Sequence, residues 1–109
     1  MNLTLNNKKT ISTETGLHIS EIDLTNYIPN IPFELSQFVV DVGGYSPDEF
    51  HDEREIWIIT NGSGQLTYKG VMYELKAGQA VKFDSNEVHT IKNTGNKILS
   101  VISIWWKDE

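Results

Sequence analysis

Apolar and polar residues alternate with a period of two along most of the chain, and turn-forming residues interrupt the alternation at short intervals. Residues 17–22 fit one strand. From about Leu35, the side chains of Phe38, Val40 and Val42 fall on one face. Residues 55–60 (EIWIIT) are rich in the β-branched and aromatic types that suit a pleated surface. The run Asn61-Gly62-Ser63-Gly64 predicts a turn. Leu66 and Tyr68 then alternate with polar neighbours, and Lys69-Gly70 predicts a tight hairpin into Val71, Tyr73 and Leu75. A turn at Lys76-Ala77-Gly78 leads to the alternation of Val81 and Phe83, and a polar bend follows at residues 84–87. Strands at 88–93 and 98–105 complete the series, separated by Thr94-Gly95-Asn96. No window carries a 3.6-residue apolar stripe. Seven or more short strands with regularly spaced turns predict an all-β sandwich or barrel. The last strand is apolar on both faces, Leu99 and Val101 on one and Ile102 and Ile104 on the other. Its outer face therefore predicts cover from the N-terminal segment or from a second subunit, which makes a homodimer the expectation.

Composition narrows the chemistry. The 109 residues make one domain's worth of chain, with no linker, repeat or composition shift to divide them. The absence of cysteine excludes disulfides, thiolate metal ligands and cysteine nucleophiles. The formal charge of −6 opposes phosphate backbones, so no nucleic-acid partner is expected. The polar start Met1-Asn2-Leu3-Thr4-Leu5-Asn6-Asn7-Lys8-Lys9 lacks the apolar core of a secretory leader. No stretch approaches the ~20 apolar residues of a membrane helix. The expectation is a cytoplasmic protein with no membrane partner.

Two of the three histidines, His51 and His89, fall into an ordered pattern with nearby acids. Glu49 and His51 are two apart and would share a strand face. On the next strand, Glu55, Trp57 and Ile59 share parity, and His89 shares its face with Ile91. Two imidazoles and two carboxylates from separate strands suit one divalent first-row ion, with Mn, Fe, Zn and Ni all compatible. The third histidine, His18, lies outside the pattern and is read as a surface or interface residue. Ser63 sits between two glycines, but no base accompanies it in a nucleophile pattern, and the stretch lacks the strand–loop–helix context of a phosphate cradle. Phe38, Tyr45, Trp57, Phe83 and Trp105 are candidates for the apolar walls of a substrate pocket.

The spacing resembles that of a small single-domain cupin. The first cupin motif runs Gly, five residues, His-x-His, three or four residues, Glu, six residues, Gly. Here Gly43-(GYSPD)-Glu49-Phe50-His51-(DER)-Glu55-(IWIITN)-Gly62 follows it. The second runs Gly, five residues, Pro-x-Gly, two residues, His, three residues, Asn, and here reads Gly78-(QAVKF)-Asp84-Ser85-Asn86-(EV)-His89-(TIK)-Asn93. The resemblance implies a double-stranded β-helix, the jelly-roll-like cupin barrel. Residues 43–62 and 78–93 would carry the two motifs, and 1–34 the N-terminal strands or arm. It implies metal ligation by His51, Glu55 and His89, and by Glu49 through its position. Glu49 replaces the first motif histidine, while Asp84 and Asn86 replace the motif proline and glycine. Asn tolerates a left-handed backbone, so the second turn is expected to persist.

The expected function is that of a metal-dependent enzyme acting on a small polar metabolite, by isomerase, lyase or dioxygenase chemistry. The ion would polarise a substrate carbonyl, and Glu49 or His51, where not ligating, would serve as general base. Two alternatives remain open at this point. His51 and His89 could act without metal as the acid and base of a dehydratase, epimerase or cyclase, or the barrel could bind a small ligand without catalysis.

Overall fold

The computed structural model describes residues 4, 6–48 and 51–107. Among these the secondary structure is entirely β: β1 (Asn6–Ser12), β2 (Leu17–Asp23), β3 (Glu34–Val40), β4 (Arg54–Asn61), β5 (Ser63–Tyr68), β6 (Val71–Lys76), β7 (Ala80–Phe83), β8 (His89–Lys92) and β9 (Leu99–Trp106). One sheet has the order β1-β2-β3-β9-β4-β7, the other β6-β5-β8, and the strand pairings are antiparallel. This is the jelly-roll-like architecture expected from the period-two pattern. Inward-facing Leu17, Phe38, Val40, Trp57, Ile59, Leu99 and Val101 of the larger sheet meet Leu66, Leu75 and Ile91 of the smaller in a single core.

The turns follow residue chemistry. Lys69 (φ 53°) and Gly70 (φ 76°) are both left-handed, as a two-residue hairpin loop matched to sheet twist requires. The expected turn at 61–64 is a different object. The chain does not reverse there; β4 runs into β5 through Gly62 alone, which takes φ 78° and moves the strand from one sheet to the other. A Cβ on Gly62 would stand 2.5 Å from the carbonyl oxygen of Ile98, so the crossing is made at a point that only glycine fits.

Burial and cover depart from the sequence pattern in three places. β3 ends at Val40, because the chain turns through residues 41–44, where the Gly44 amide donates to the Asp41 carbonyl at 2.8 Å. Val42 is therefore exposed rather than sharing the face of Phe38 and Val40. On β6, an edge strand, only Leu75 is buried, while Val71 and Tyr73 at the same parity are exposed. The N-terminal strand β1 extends the large sheet beside β2 and does not lie over β9, whose outer residues Ile102 and Ile104 are half-buried.

Candidate metal centre

The site is built from β4, β8 and the loops that enter them. Glu55 begins the inward-facing series of β4, with Trp57 and Ile59 following at alternate positions, all three buried. His89 opens β8 and shares its buried face with Ile91. His51 was expected on a strand; it lies instead in the loop before β4. Backbone ties hold that loop. Tyr45 bridges to Lys92, and the Ser46 amide donates to the Ile91 carbonyl at 2.8 Å, which lays residues 44–46 along the edge of β8. Asn86, at φ 63°, donates its amide to the His51 carbonyl at 2.7 Å. The left-handed residue that stands for the motif glycine thus fastens one histidine loop to the other.

Three donor atoms converge. The Nε2 atoms of His51 and His89 lie 3.3 Å and 3.1 Å from the same oxygen, Oε1 of Glu55. One ligand atom from each residue lies within 4.8 Å of the others. The opposite ring nitrogens are held by main chain: Nδ1 of His51 donates to the Glu53 carbonyl at 3.1 Å, and Nδ1 of His89 to the Glu87 carbonyl at 2.9 Å. A carbonyl only accepts, so each Nδ1 carries a proton, and in the neutral tautomer each Nε2 lone pair turns inward. Two lone pairs and a carboxylate oxygen crowded together repel one another unless a cation lies between them. The donor set therefore fits a divalent ion, with both imidazoles oriented by hydrogen bonds of the kind that fix metal-binding histidines.

Glu55 is prepared for this role by its other oxygen. Oε2 accepts a hydrogen bond from the Ser103 hydroxyl, leaving Oε1 to face the imidazoles. Burial pushes the Glu55 carboxyl up, but its contacts with His89, the Ser103 hydroxyl and the neighbouring Trp57 indole outweigh it. Its pKa lies below the ordinary carboxylate value. The Trp57 Nε1 itself has no hydrogen-bond partner among the described residues. Aromatic rings fix the plane of His89. Phe83 stacks on it at a centroid distance of 4.0 Å and an interplanar angle of 9°, and Trp57 meets its edge at 5.1 Å.

The centre opens on a cavity of about 270 Å³. Of the aromatic candidates, Phe38, Trp57 and Trp105 line it. Phe83 does not, because it packs against His89 and Tyr68 in the core. Tyr45 does not either, because the pairing with Lys92 leaves it 47% exposed away from the cavity. Glu49 lies outside the described residues. His18 sits on the surface, with Nδ1 2.8 Å from the Ser12 hydroxyl and Nε2 3.0 Å from Asp41. The sequence reading missed Ser36 and Ser103, which line the cavity from the inward-facing positions of β3 and β9. Their signal was present: each is a polar residue in a register otherwise held by Phe38 and Val40 or by Leu99 and Val101.

The family model for the cupin domain matches residues 36–105. The chain belongs to the cupin family. Among solved structures, this cupin resembles a Cupin 2 conserved barrel domain protein from Salinispora arenicola, with a TM-score of 0.82 and 25% identity over 98% of this chain and 89% of the other. It also resembles a predicted oxalate decarboxylase from Thermotoga maritima (TM-score 0.80, 22% identity, 97% and 100% covered) and KdgF from a Halomonas species (TM-score 0.77, 14% identity, 100% and 96% covered). At these last two identities the likeness is one of fold. By sequence, the cupin is 30% identical over 73 residues to mannose-1-phosphate guanylyltransferase of Klebsiella pneumoniae. That match takes in 66% of this chain and spans only 16% of the transferase. It is 28% identical over 91 residues to the uncharacterized protein MJ1618 of Methanocaldococcus jannaschii, covering 83% and 73% of the two chains.

Proposed function

We propose that this cupin is a metal-dependent enzyme acting on a small polar metabolite, with His51, Glu55 and His89 holding one divalent transition-metal ion. The observation that carries the reading is the convergence of two Nε2 atoms on Glu55 Oε1 while both Nδ1 atoms are tied to carbonyls. Glu49, two positions before His51, is assigned as a fourth ligand or the general base on its place in the motif. A bound ion would act as a Lewis acid on a substrate oxygen and lower the barrier to removing a neighbouring proton. The chain supplies the rest. Ser103 keeps Glu55 in one orientation, the carbonyls of Glu53 and Glu87 keep the imidazoles in one tautomer, and Phe38, Trp57 and Trp105 shield the reacting groups from bulk water. This arrangement serves isomerisation, elimination or, with a redox-active ion and oxygen, dioxygenation. The names of the fold relatives support enzymatic chemistry in barrels of this shape without choosing among these reactions.

Elemental analysis of protein purified without a metal-affinity tag tests the proposal. The expected result is close to one transition-metal ion per chain, lost in His89→Ala, with a metabolite consumed from a mixed small-molecule pool by wild type and not by the variant. Metal-free protein whose melting temperature is unmoved by added Mn, Fe, Zn or Ni would overturn the metal assignment. Unchanged pools in the presence of stoichiometric metal would overturn the enzymatic one.

A further inference from the structure

The interior face of the large sheet changes character from one rung to the next. Ile19, Phe38, Val101 and Ile59 stand opposite one another across β2, β3, β9 and β4 and make an apolar rung. Two residues along, the rung reads Glu21, Ser36, Ser103 and Trp57. Glu21, Ser36 and Ser103 all line the cavity, as does Glu53 from the loop before β4. Ser103 is engaged with Glu55. The side chains of Glu21, Glu53 and Ser36 have no hydrogen-bond or ion-pair partner among the described residues, although Ser36 is only 4% exposed. Among the described residues, no lysine or arginine lines the cavity.

We infer that the substrate is a neutral, hydroxyl-bearing molecule of about the size of one sugar ring, and not a carboxylate or phosphate. The inference rests on the metal reading of the same site for one point: an ion needs an oxygen lone pair from its substrate. Hydroxyl groups supply that lone pair, and they also supply O–H donors for Glu21 and Glu53. Ser36 can either give or take a hydrogen bond with the same ligand. An anionic substrate would meet Glu21, Glu53 and Glu55, three carboxylates against the two charges of a divalent ion and with no lysine or arginine among the lining residues, so like charges oppose it in a partly desolvated space. An ammonium ligand satisfies the carboxylates but brings no oxygen to the ion. Trp105 and Phe38 offer apolar surface to the C–H edges of a ring, and the cavity's volume suits a single ring.

Calorimetric titration of protein with its metal content measured in the same sample provides the test. The probes are glucose, galactose and mannose, each paired with its uronic acid, which differs by one carboxylate, together with putrescine. At least one neutral sugar is expected to bind, and its uronic acid at least tenfold more weakly. The double variant Glu21→Gln, Glu53→Gln should narrow that ratio roughly tenfold by removing the repulsion, without changing metal content. Ser36→Ala should weaken the neutral sugar several-fold. Preference for the uronic acid or for putrescine, binding of none of the neutral sugars, or an unchanged ratio in the double variant would each overturn the inference. The metal assay separates the two failures. A loaded protein that prefers the acid sinks the substrate class alone, whereas metal-free protein that still binds the neutral sugar sinks the metal reading alone.

Discussion

The passage of β4 into β5 through Gly62 invites a quantitative test. Replacing Gly62 with alanine asks an L-residue to keep φ 78°, which costs about 1–2 kcal/mol. The new methyl would also lie 2.5 Å from the Ile98 carbonyl oxygen and 3.1 Å from the Leu99 Cα. Both are backbone atoms, and the Ile98 oxygen already accepts the Asn61 side-chain amide at 2.8 Å, so it has little room to retreat. Overlap of this kind costs a further 1–3 kcal/mol or so. The sum is about 2–5 kcal/mol, or a fall in melting temperature on the order of 8–20 °C at about 4 °C per kcal/mol for a domain of this size. Gly70→Ala is the matched control. Its φ of 76° is nearly the same, but nothing lies within 4 Å of the added methyl, so it should lose only about 1–2 kcal/mol. Urea unfolding followed by circular dichroism, with both variants stripped of metal by chelation, gives the two values side by side. Losses that agree to within about 0.5 kcal/mol would show that backbone conformation alone sets the requirement for glycine, and the steric account of the sheet crossing would fall.

Two further outcomes follow from other parts of the fold. Asn93 is 1% exposed, donates to the carbonyls of Val40 and Lys97 at 2.9 Å each and accepts from the Gly95 amide at 3.0 Å. Asn93→Ala should therefore lose about 3 kcal/mol in urea unfolding, and a loss below about 1 kcal/mol would contradict its role as the clamp between β3 and the 93–97 turn. Glu87 is held down to about 2 from an ordinary 4.5, first by its hydrogen bond with Lys69 and then by that with Tyr68. The fold favours its charged form, so its stabilisation is complete above the unfolded value and disappears as pH falls toward about 2. Melting temperatures of wild type and Glu87→Gln should differ at neutral pH and converge in acid; a gap that holds constant or widens there would reverse the sign.

Much of this architecture was readable in the chain because buried strands leave a parity that survives in the sequence. Glu55, Trp57 and Ile59 share a face by simple alternation, as do His89 and Ile91, and the structure buries all five. Asn86 could be assigned a left-handed turn from its chemistry alone, and it adopts φ 63°. What was lost are features set by partners distant along the chain. The stretch 61–64 carries every local mark of a reversal, yet whether it reverses depends on Ile98 packing against Gly62. The two-residue spacing of Glu49 and His51 reads the same on a strand as in a loop pinned by Asn86. Phe83 and Phe38 are alike as aromatic residues in alternating segments; only the placement of His89 sends one behind the imidazole and the other to the cavity wall. Serine is common on exposed strand faces, so the inward position of Ser103 gained meaning only once Glu55 was found beside it.

The indole of Trp57 lies almost entirely out of water, with its centroid 5.1 Å from that of His89. In a Trp105→Phe, Trp106→Phe background this leaves one native fluorophore against the ligand cluster, with emission expected toward the blue. Open-shell ions such as Mn, Fe or Ni, held by the neighbouring imidazole, should quench that emission, whereas filled-shell Zn should leave most of it. The electronic class of the resident ion is therefore open to a cuvette titration with no label attached.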